Sequence, residues 1–253
     1  MPTDKSDFDE KTTHFGYQEV PLSEKVKKVA GVFSSVAPKY DLMNDVISLG
    51  THRVFKRMAM ALSGVRAGHK VLDLAGGTGD FTKLFSPIVG STGRIYLSDI
   101  NYAMLEAGRE RLIDDGIVGN VDIVQANGEF LPFPEDYFDC LTIGYGIRNF
   151  TNKPDALKEA KRVLKPGGRL LILEFSKPKS GLLSKAYDIY SSAWPTIGKV
   201  LANDSDSYSY LNESIRMHPD QDEFKAMIEE ADFTEVKYHN LLGGISAIHV
   251  GVA

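Results

Sequence analysis

Val71-Leu72-Asp73-Leu74-Ala75-Gly76-Gly77-Thr78-Gly79-Asp80 decides how this 253-residue chain reads. Four residues of apolar strand character run into a glycine-rich turn, and a helical period follows. Glycines at such a turn let a cofactor approach the backbone and permit positive φ. About twenty residues on, Asp99 ends the next apolar run, where a carboxylate can accept hydrogen bonds from both hydroxyls of a ribose. Strand, glycine loop and spaced acid together mark a nucleotide-type site.

Two cofactor classes fit that pattern. A dinucleotide fingerprint needs Gly-x-Gly-x-x-Gly, and Gly77-x-Gly79 is followed by Phe81 and Thr82 with no third glycine. Asp73, inside the strand, is also awkward beside a pyrophosphate. S-adenosylmethionine carries no phosphate, and its ammonium prefers acidic neighbours, so it is the favoured cofactor. A third contact region is expected at Gln125–Glu129, beside the adenine. There Asn127 is either a partner for the base or the start of an ordinary Asn-Gly turn. The loop Tyr145-Gly146-Ile147-Arg148-Asn149 would lie across the sulfonium and the reacting atom.

Outward from this stretch, apolar runs and helical periods alternate. Val71–Leu74, Arg94–Ser98, Val121–Val124, Cys140–Ile143 and Leu170–Phe175 read as strands. Asp80–Ser86, Tyr102–Asp114 and Lys153–Leu164 read as helices, the last capped by Asn152 and ended by Gly167-Gly168. Alternation of this kind implies a parallel sheet covered on both faces. Glu235–Leu241 and Ile245–Val250 read as two strands joined through Gly243-Gly244, so the last strand should run antiparallel. Upstream, Val26, Val29, Ala30, Phe33, Val36 and Ala37 follow helical spacing. Lys25, Lys27 and Lys28 lie off that stripe, on what reads as a solvated face, a membrane-surface contact being the alternative. The interval Ser176–Asp232 is rich in aromatics, among them Tyr187, Tyr190, Trp194, Tyr208 and Tyr210, and is where an α/β domain builds a substrate pocket.

Composition narrows the classes. Lys and Arg number 29 against 34 Asp and Glu, a net charge of −5, which argues against a dedicated nucleic-acid binder. No apolar run nears the roughly 20 residues that span a bilayer, and residues 1–10 have no signal-peptide character. The single Cys140 excludes an internal disulfide and suggests a cytoplasmic setting. Its apolar strand also disfavours cysteine-addition chemistry. The six histidines are scattered without ligand spacing, so no metal is expected.

Four further motifs carry a resemblance. Tyr40-Asp41-x-Met43-Asn44-Asp45, continuing to Ser48 and His52, is one. Arg162 to Gly168, continuing to Glu174-Phe175-Ser176, is another. With Asn203-Asp204-x-Asp206-Ser207-Tyr208 and Glu213 to Asp220, they resemble the ubiquinone/menaquinone biosynthesis C-methyltransferases; Asp73 to Asp80 resembles the first motif of class I methyltransferases generally. The likeness takes in Thr12 to Gly16 and so covers nearly the whole chain.

That resemblance implies an α/β, Rossmann-like, doubly wound and mostly parallel seven-stranded sheet with an antiparallel last strand. An N-terminal helical lid and a helical insertion before the last two strands complete it. The expected division is a flexible arm, 1–22, and one methyltransferase domain, 23–253. Within the domain, 23–65 form the lid, 66–176 the cofactor core, 177–220 the substrate-side insertion and 221–253 the final helix and hairpin. The implied reaction is methyl transfer from S-adenosylmethionine to a ring carbon of a polyprenylated quinol. Cofactor contacts are expected at Asp73, Gly76, Gly77, Thr78, Gly79, Asp99, Ile100, Asn127, Gly128 and Gly144. The family often has alanine at Gly128 and serine at Gly144, so a hydroxyl contact at Gly144 is lost. Catalytic candidates are Arg148, Asn149, Tyr40, Asp41, Asp45 and His52, of which Arg148 is a poor base because guanidinium stays protonated. The alternatives are an NAD-dependent oxidoreductase and a noncatalytic S-adenosylmethionine-binding scaffold in a quinone-biosynthesis complex. Weak peripheral contact with a membrane, through apolar surfaces near Val26–Val36 and Tyr187–Tyr210, and a homodimer are the remaining partner expectations.

Overall fold

The computed structural model describes residues 12–36, 40–202 and 204–253. Seven strands form the central sheet: β3 (Lys70–Leu74), β4 (Arg94–Asp99), β5 (Val121–Gln125), β6 (Phe138–Gly144), β7 (Leu164–Phe175), β8 (Thr234–Leu241) and β9 (Ser246–Val252). Their order is β5-β4-β3-β6-β7-β9-β8. The β3–β4, β4–β5, β3–β6 and β6–β7 pairings are parallel, and β9 runs antiparallel to both of its neighbours. The expected mixed sheet is present, with its one reversed strand inserted between β7 and β8.

Strand alternation explains the two cores. Val71, Ile95, Cys140 and Leu171 face one side, against α3 (Thr51–Leu62) and α4 (Asp80–Val89). Leu72, Leu141, Leu170 and Ile172 face the other, against α6 (Lys153–Val163) and α10 (Gln221–Glu229). Successive side chains of a strand point to opposite faces, so the central strands β3, β6 and β7 are largely apolar on both. The chain winds outward through β3, β4 and β5, then returns to lay β6 beside β3. Crevices at such switch points, at the carboxyl ends of the strands, are where open α/β sheets bind ligands.

Local signals account for the helix starts. Asn152 accepts from Asp155 N at the head of α6, as expected. Asn101 caps α5 (Tyr102–Asp114), and Asp220 with Glu223 makes a capping box for α10. One boundary differs from the sequence reading: α6 ends at Val163, and Leu164 already belongs to β7. Gly167 (φ 78) lies inside the strand, where the register against β6 shifts between Phe138 and Cys140. The two glycines thus mark a strand irregularity and do not end the helix.

Residues 12–21, read as part of a flexible arm, form an antiparallel hairpin of β1 (Thr12–Phe15) and β2 (Gln18–Pro21). It is pinned by Phe15 stacking on Tyr210 at 4.3 Å and by Tyr17 N donating to Glu213 Oε2. These partners lie about 195 positions away, beyond any local signal. Residues 1–11 of the arm, Ala37 of the apolar stripe and Asn203 lie outside the described residues.

Two further helices, α1 (Leu22–Val36) and α2 (Tyr40–Ser48), precede α3. After β7 come α7 (Gly181–Ser192), α8 (Trp194–Ala202) and α9 (Ser205–Met217). Trp194, Tyr208, Leu211 and Ile215 form a buried cluster with Met43 and Ile47 of α2, and Tyr187 and Tyr190 pack on it. The insertion's aromatics are therefore largely a second core that holds the N-terminal helices. This corrects the expectation of an exposed aromatic surface along Tyr187–Tyr210.

Candidate active site

A cleft opens at the carboxyl ends of β3, β4 and β5. Its floor is Leu74, Ala75 and Gly77, one wall carries Asp99, Ile100 and Met104, and the far wall is Ala126 to Glu129. Tyr145, Gly146 and Asn149 close the inner end, and Val26, Ala30 and Phe33 of α1 cover the top. The apolar stripe of α1 thus faces the cleft. Lys25, expected on a solvated face, is 4% exposed, and its Nζ donates to the Phe150 carbonyl at 3.0 Å. Burial lowers its pKa to about 8.

The glycine loop is built around Asp73. Its Oδ2 accepts from Thr82 N (2.9 Å) and Thr82 Oγ1 (2.7 Å), tying the end of the turn to the strand. A Cβ at Gly76 would stand 2.5 Å from Leu97 Cδ1 and 2.8 Å from Asp73 Cγ, so only glycine fits there. Two residues that are not glycine, Ala75 (φ 52) and Tyr145 (φ 57), adopt left-handed backbone at the ends of β3 and β6. Such outliers gather at functional sites because the surrounding fold must hold them in place.

Of the expected cofactor residues, Gly77, Asp99, Ile100, Asn127 and Gly128 line the cleft. Asp73, Gly76, Thr78, Gly79 and Gly144 do not line it and instead shape the loop behind. Thr78 Oγ1 accepts from Arg111 Nη1 (3.2 Å), and a Cβ at Gly144 would meet the Phe81 ring at 2.7 Å. Asp99 accepts from Gly77 N (3.1 Å) and Asn101 N (2.9 Å), while burial raises its pKa. Asn127 serves as a turn residue, its Oδ1 accepting from Glu129 N, and also faces the cleft. The lining from α1 was missed because an amphipathic stripe does not say what it will cover.

Arg148 and Asn149 fall in a 3-10 turn after β6. Arg148 Nη1 pairs with Glu174 Oε1 at 2.9 Å and also donates to the Tyr145 carbonyl. Asn149 Oδ1 accepts from Tyr210 OH at 2.9 Å, which orients its amide toward the cleft it lines. Asp45 and His52 are joined to each other, Oδ1 to Nε2 at 2.9 Å, and Arg53 holds the second carboxylate oxygen. Burial lowers the His52 pKa. The Tyr40 and Asp41 side chains lie outside the described residues. Among the described residues no three His, Cys, Asp or Glu gather to hold a metal, and no helix is long and apolar enough to cross a membrane. Burial pushes the Cys140 thiol up to about 12, an inert structural state.

The lining chemistry tests the cofactor. Among the described lining residues there is no Lys or Arg, while Asp99 and Glu129 are acidic. A pyrophosphate would find no cation there. A cofactor bearing a sulfonium and an ammonium meets the charge it needs, and Met104, Ala126 and Phe150 offer an apolar bed for adenine. The donor set fits S-adenosylmethionine.

Solved structures share this architecture. A SAM-dependent methyltransferase from Aquifex aeolicus aligns with TM-score 0.58 at 18% identity, over 78% of this chain and 88% of that one. The Haemonchus contortus phosphoethanolamine N-methyltransferase 2, solved with S-adenosyl-L-methionine, aligns with TM-score 0.59 at 14% identity, over 78% and 51% of the two chains. The fold is that of the class I methyltransferases. More narrowly, the chain belongs to the ubiE/COQ5 methyltransferase family, whose model matches residues 2–253. The ubiquinone/menaquinone biosynthesis C-methyltransferase UbiE of Pseudomonas putida is 61% identical over 249 residues, 98% of this chain and 97% of that protein. The protein of the same name from Saccharophagus degradans is 59% identical over 96% of this chain and 98% of its own length.

Proposed function

We propose that this chain is an S-adenosylmethionine-dependent C-methyltransferase that methylates the ring of a polyprenylated quinol in ubiquinone and menaquinone biosynthesis. The supporting observation is the likeness, near 60% identity over almost the full length, to proteins bearing that name. The bound cofactor supplies an electrophilic methyl group on its sulfonium. Asp99 accepts from the ribose hydroxyls, and Asn127 and Gly128 flank the base.

The acceptor carbon must be electron-rich, so the acceptor is the reduced quinol, ionised or ionising at a hydroxyl. With a phenol pKa of about 10, ionisation at pH 7 costs roughly 4 kcal/mol. A positioned base supplies ~10²–10⁴-fold, which is of that size. Alignment of the reacting atoms supplies ~7–11 kcal/mol, the larger share. Arg148 holds positive charge beside the inner end of the cleft and stabilises the phenolate, while Asn149, oriented by Tyr210, positions the acceptor oxygen. The Asp45–His52 pair is the acid–base candidate among the described side chains. The C-methyltransferase name borne by relatives near 60% identity favours catalysis over a noncatalytic scaffold.

Labelled methyl transfer to reduced demethylmenaquinol and to its benzoquinol counterpart tests the proposal, and absence of product with both overturns it. The tail of such an acceptor lives in a bilayer, and we place the enzyme in the cytoplasm, touching the membrane weakly. The exposed Leu49, Leu182 and Ile189 support such a contact. A Leu182→Asp/Ile189→Asp variant that floats with liposomes as the parent does would remove that support.

A further inference from the structure

Two buried polar atoms beside the catalytic turn have no hydrogen-bond partner among the described residues: Arg148 Nε and the Tyr187 hydroxyl. Unpaired buried polar atoms are rare and each asks for an explanation. The orientation of Tyr187 is itself unusual. A half-buried tyrosine ordinarily turns its hydroxyl to water, whereas here the ring is partly exposed and the hydroxyl points inward.

The two atoms share a neighbourhood. Arg148 Cζ lies 5.5 Å from the centre of the Phe175 ring, and Tyr187 packs on the same aromatic cluster as Phe175. The guanidinium is the strongest charge acting on the Tyr187 hydroxyl. Tyr145, which lines the cleft, packs at a tilt on Phe175, ring centres 4.7 Å apart, and feels both Arg148 and Tyr187. Arg148 itself lies in the chain between Tyr145 and Asn149, both cleft-lining residues.

The chemistry of the pair selects its ligand. Guanidinium Nε is a donor only. Burial raises the tyrosine's pKa, so its hydroxyl keeps its proton and donates as well. Glu174 already holds Arg148 Nη1, which leaves the guanidinium positioned with its Nε unpartnered. Two neighbouring donors, one of them cationic, suit an oxygen acceptor carrying negative charge. We propose that Tyr187 and Arg148 Nε together bind the acceptor's ring oxygen as it loses its proton, so that Tyr187 sets how readily the acceptor ionises. Tyr187 keeps its own proton throughout, and the acceptor's proton leaves to solvent. This assignment rests on the quinol reading above.

Tyr187→Phe in the full chain removes one oxygen and strands no partner, so the fold should hold. With reduced demethylmenaquinol, kcat should fall about tenfold at pH 7 and recover as pH rises, because the acid limb of the kcat profile, which reports the bound acceptor, moves up by about one unit. A loss equal at every pH marks a structural role and overturns the proposal. A direct readout uses 4-nitrophenol, whose ionisation is visible by absorbance. Bound to the parent protein its pKa should drop, and bound to Tyr187→Phe it should drop by about one unit less. The same pKa in both proteins, or no binding by the parent, overturns the assignment. Trp194 is the chain's single tryptophan, and its ring lies 5.9 Å from that of Tyr187, so quenching of its fluorescence reports occupancy. If neither quinol is methylated yet 4-nitrophenol quenches Trp194 with the Tyr187-dependent pKa drop, the acceptor reading fails while the anion anchor stands.

Discussion

Arg148 and Glu174 form a buried ion pair, Nη1 to Oε1 at 2.9 Å, across the carboxyl ends of β6 and β7. Glu174 is 1% exposed, and its two oxygens also accept from Arg148 N and Phe175 N. The pair therefore fixes both the backbone and the side chain of the catalytic turn. Breaking a buried pair from one side leaves an uncompensated charge, at a cost of about 3–5 kcal/mol. Glu174→Gln should lower Tm by ten degrees or so and remove most activity, whereas Glu174→Asp should retain part of both. Thermal melts beside initial rates check this, and an unchanged melt for Glu174→Gln contradicts it.

Asp73 is fully buried, and desolvation raises its pKa to about 6 against an ordinary 3.8. A raised folded-state value means its contribution to stability is complete below about pH 4 and is lost as pH rises through 6. At pH 7 the chain holds an ionised carboxylate that it would be more stable without. Asp73→Asn keeps an acceptor for Thr82 and removes the charge. Its stability relative to the parent should rise by about 2 kcal/mol between pH 4.5 and 8, the part of a two-unit shift at 1.36 kcal/mol each that falls in that interval. Urea titrations at the two pH values decide it; a difference independent of pH rejects it.

Asp99 is the one carboxylate at the end of β4 that faces the cleft while bonding the glycine loop through Gly77 N. Hydrogen bonds to a charged group are worth about 1.5–3 kcal/mol. Asp99→Asn should weaken S-adenosylmethionine binding by roughly ten- to a hundredfold, with little change in melting temperature of the free protein. Isothermal titration measures the first, and an unaltered Kd would falsify the ribose assignment.

Gly144 carries only a hydrogen, and the space beyond it is taken by Phe81. A Cβ there would lie 2.7 Å from Phe81 Cε2, inside a cluster where Phe81 stacks on Phe85. Overpacking of this kind costs about 1–3 kcal/mol. Gly144→Ser should lower Tm by several degrees, and Phe81→Leu in the same chain should return part of the loss. Additive effects of the two substitutions would mean that they do not share this space.

Much of the molecule was legible in the residues alone. Six of the seven strands fall within a few positions of their expected places, because their apolar runs and turn residues are local signals, and β7 starts six residues early, at Leu164. The glycine loop, Asp99 and the Asn127-Gly128 pair were legible for the same reason, and their family resemblance carried the reaction. Periodicity also defined the α1 stripe, yet could not say that Val26, Ala30 and Phe33 cover a cofactor cleft or that Lys25 would be buried against Phe150. Nor could it separate Asp73, which holds the loop through Thr82, from Asp99, which faces the ligand.

Those decisions belong to the tertiary structure, because they rest on contacts between residues far apart in the chain. Arg148 meets Glu174 across 26 positions, Lys25 meets Phe150 across 125, and Tyr17 meets Glu213 across 196. The local pattern determined which elements form and that a carboxylate, Asp99, ends β4. Only the packing of α1, α7 and α9 against the ends of β3, β6 and β7 determined which of those side chains meet the ligand, since desolvation and pairing exist only once the chain has folded.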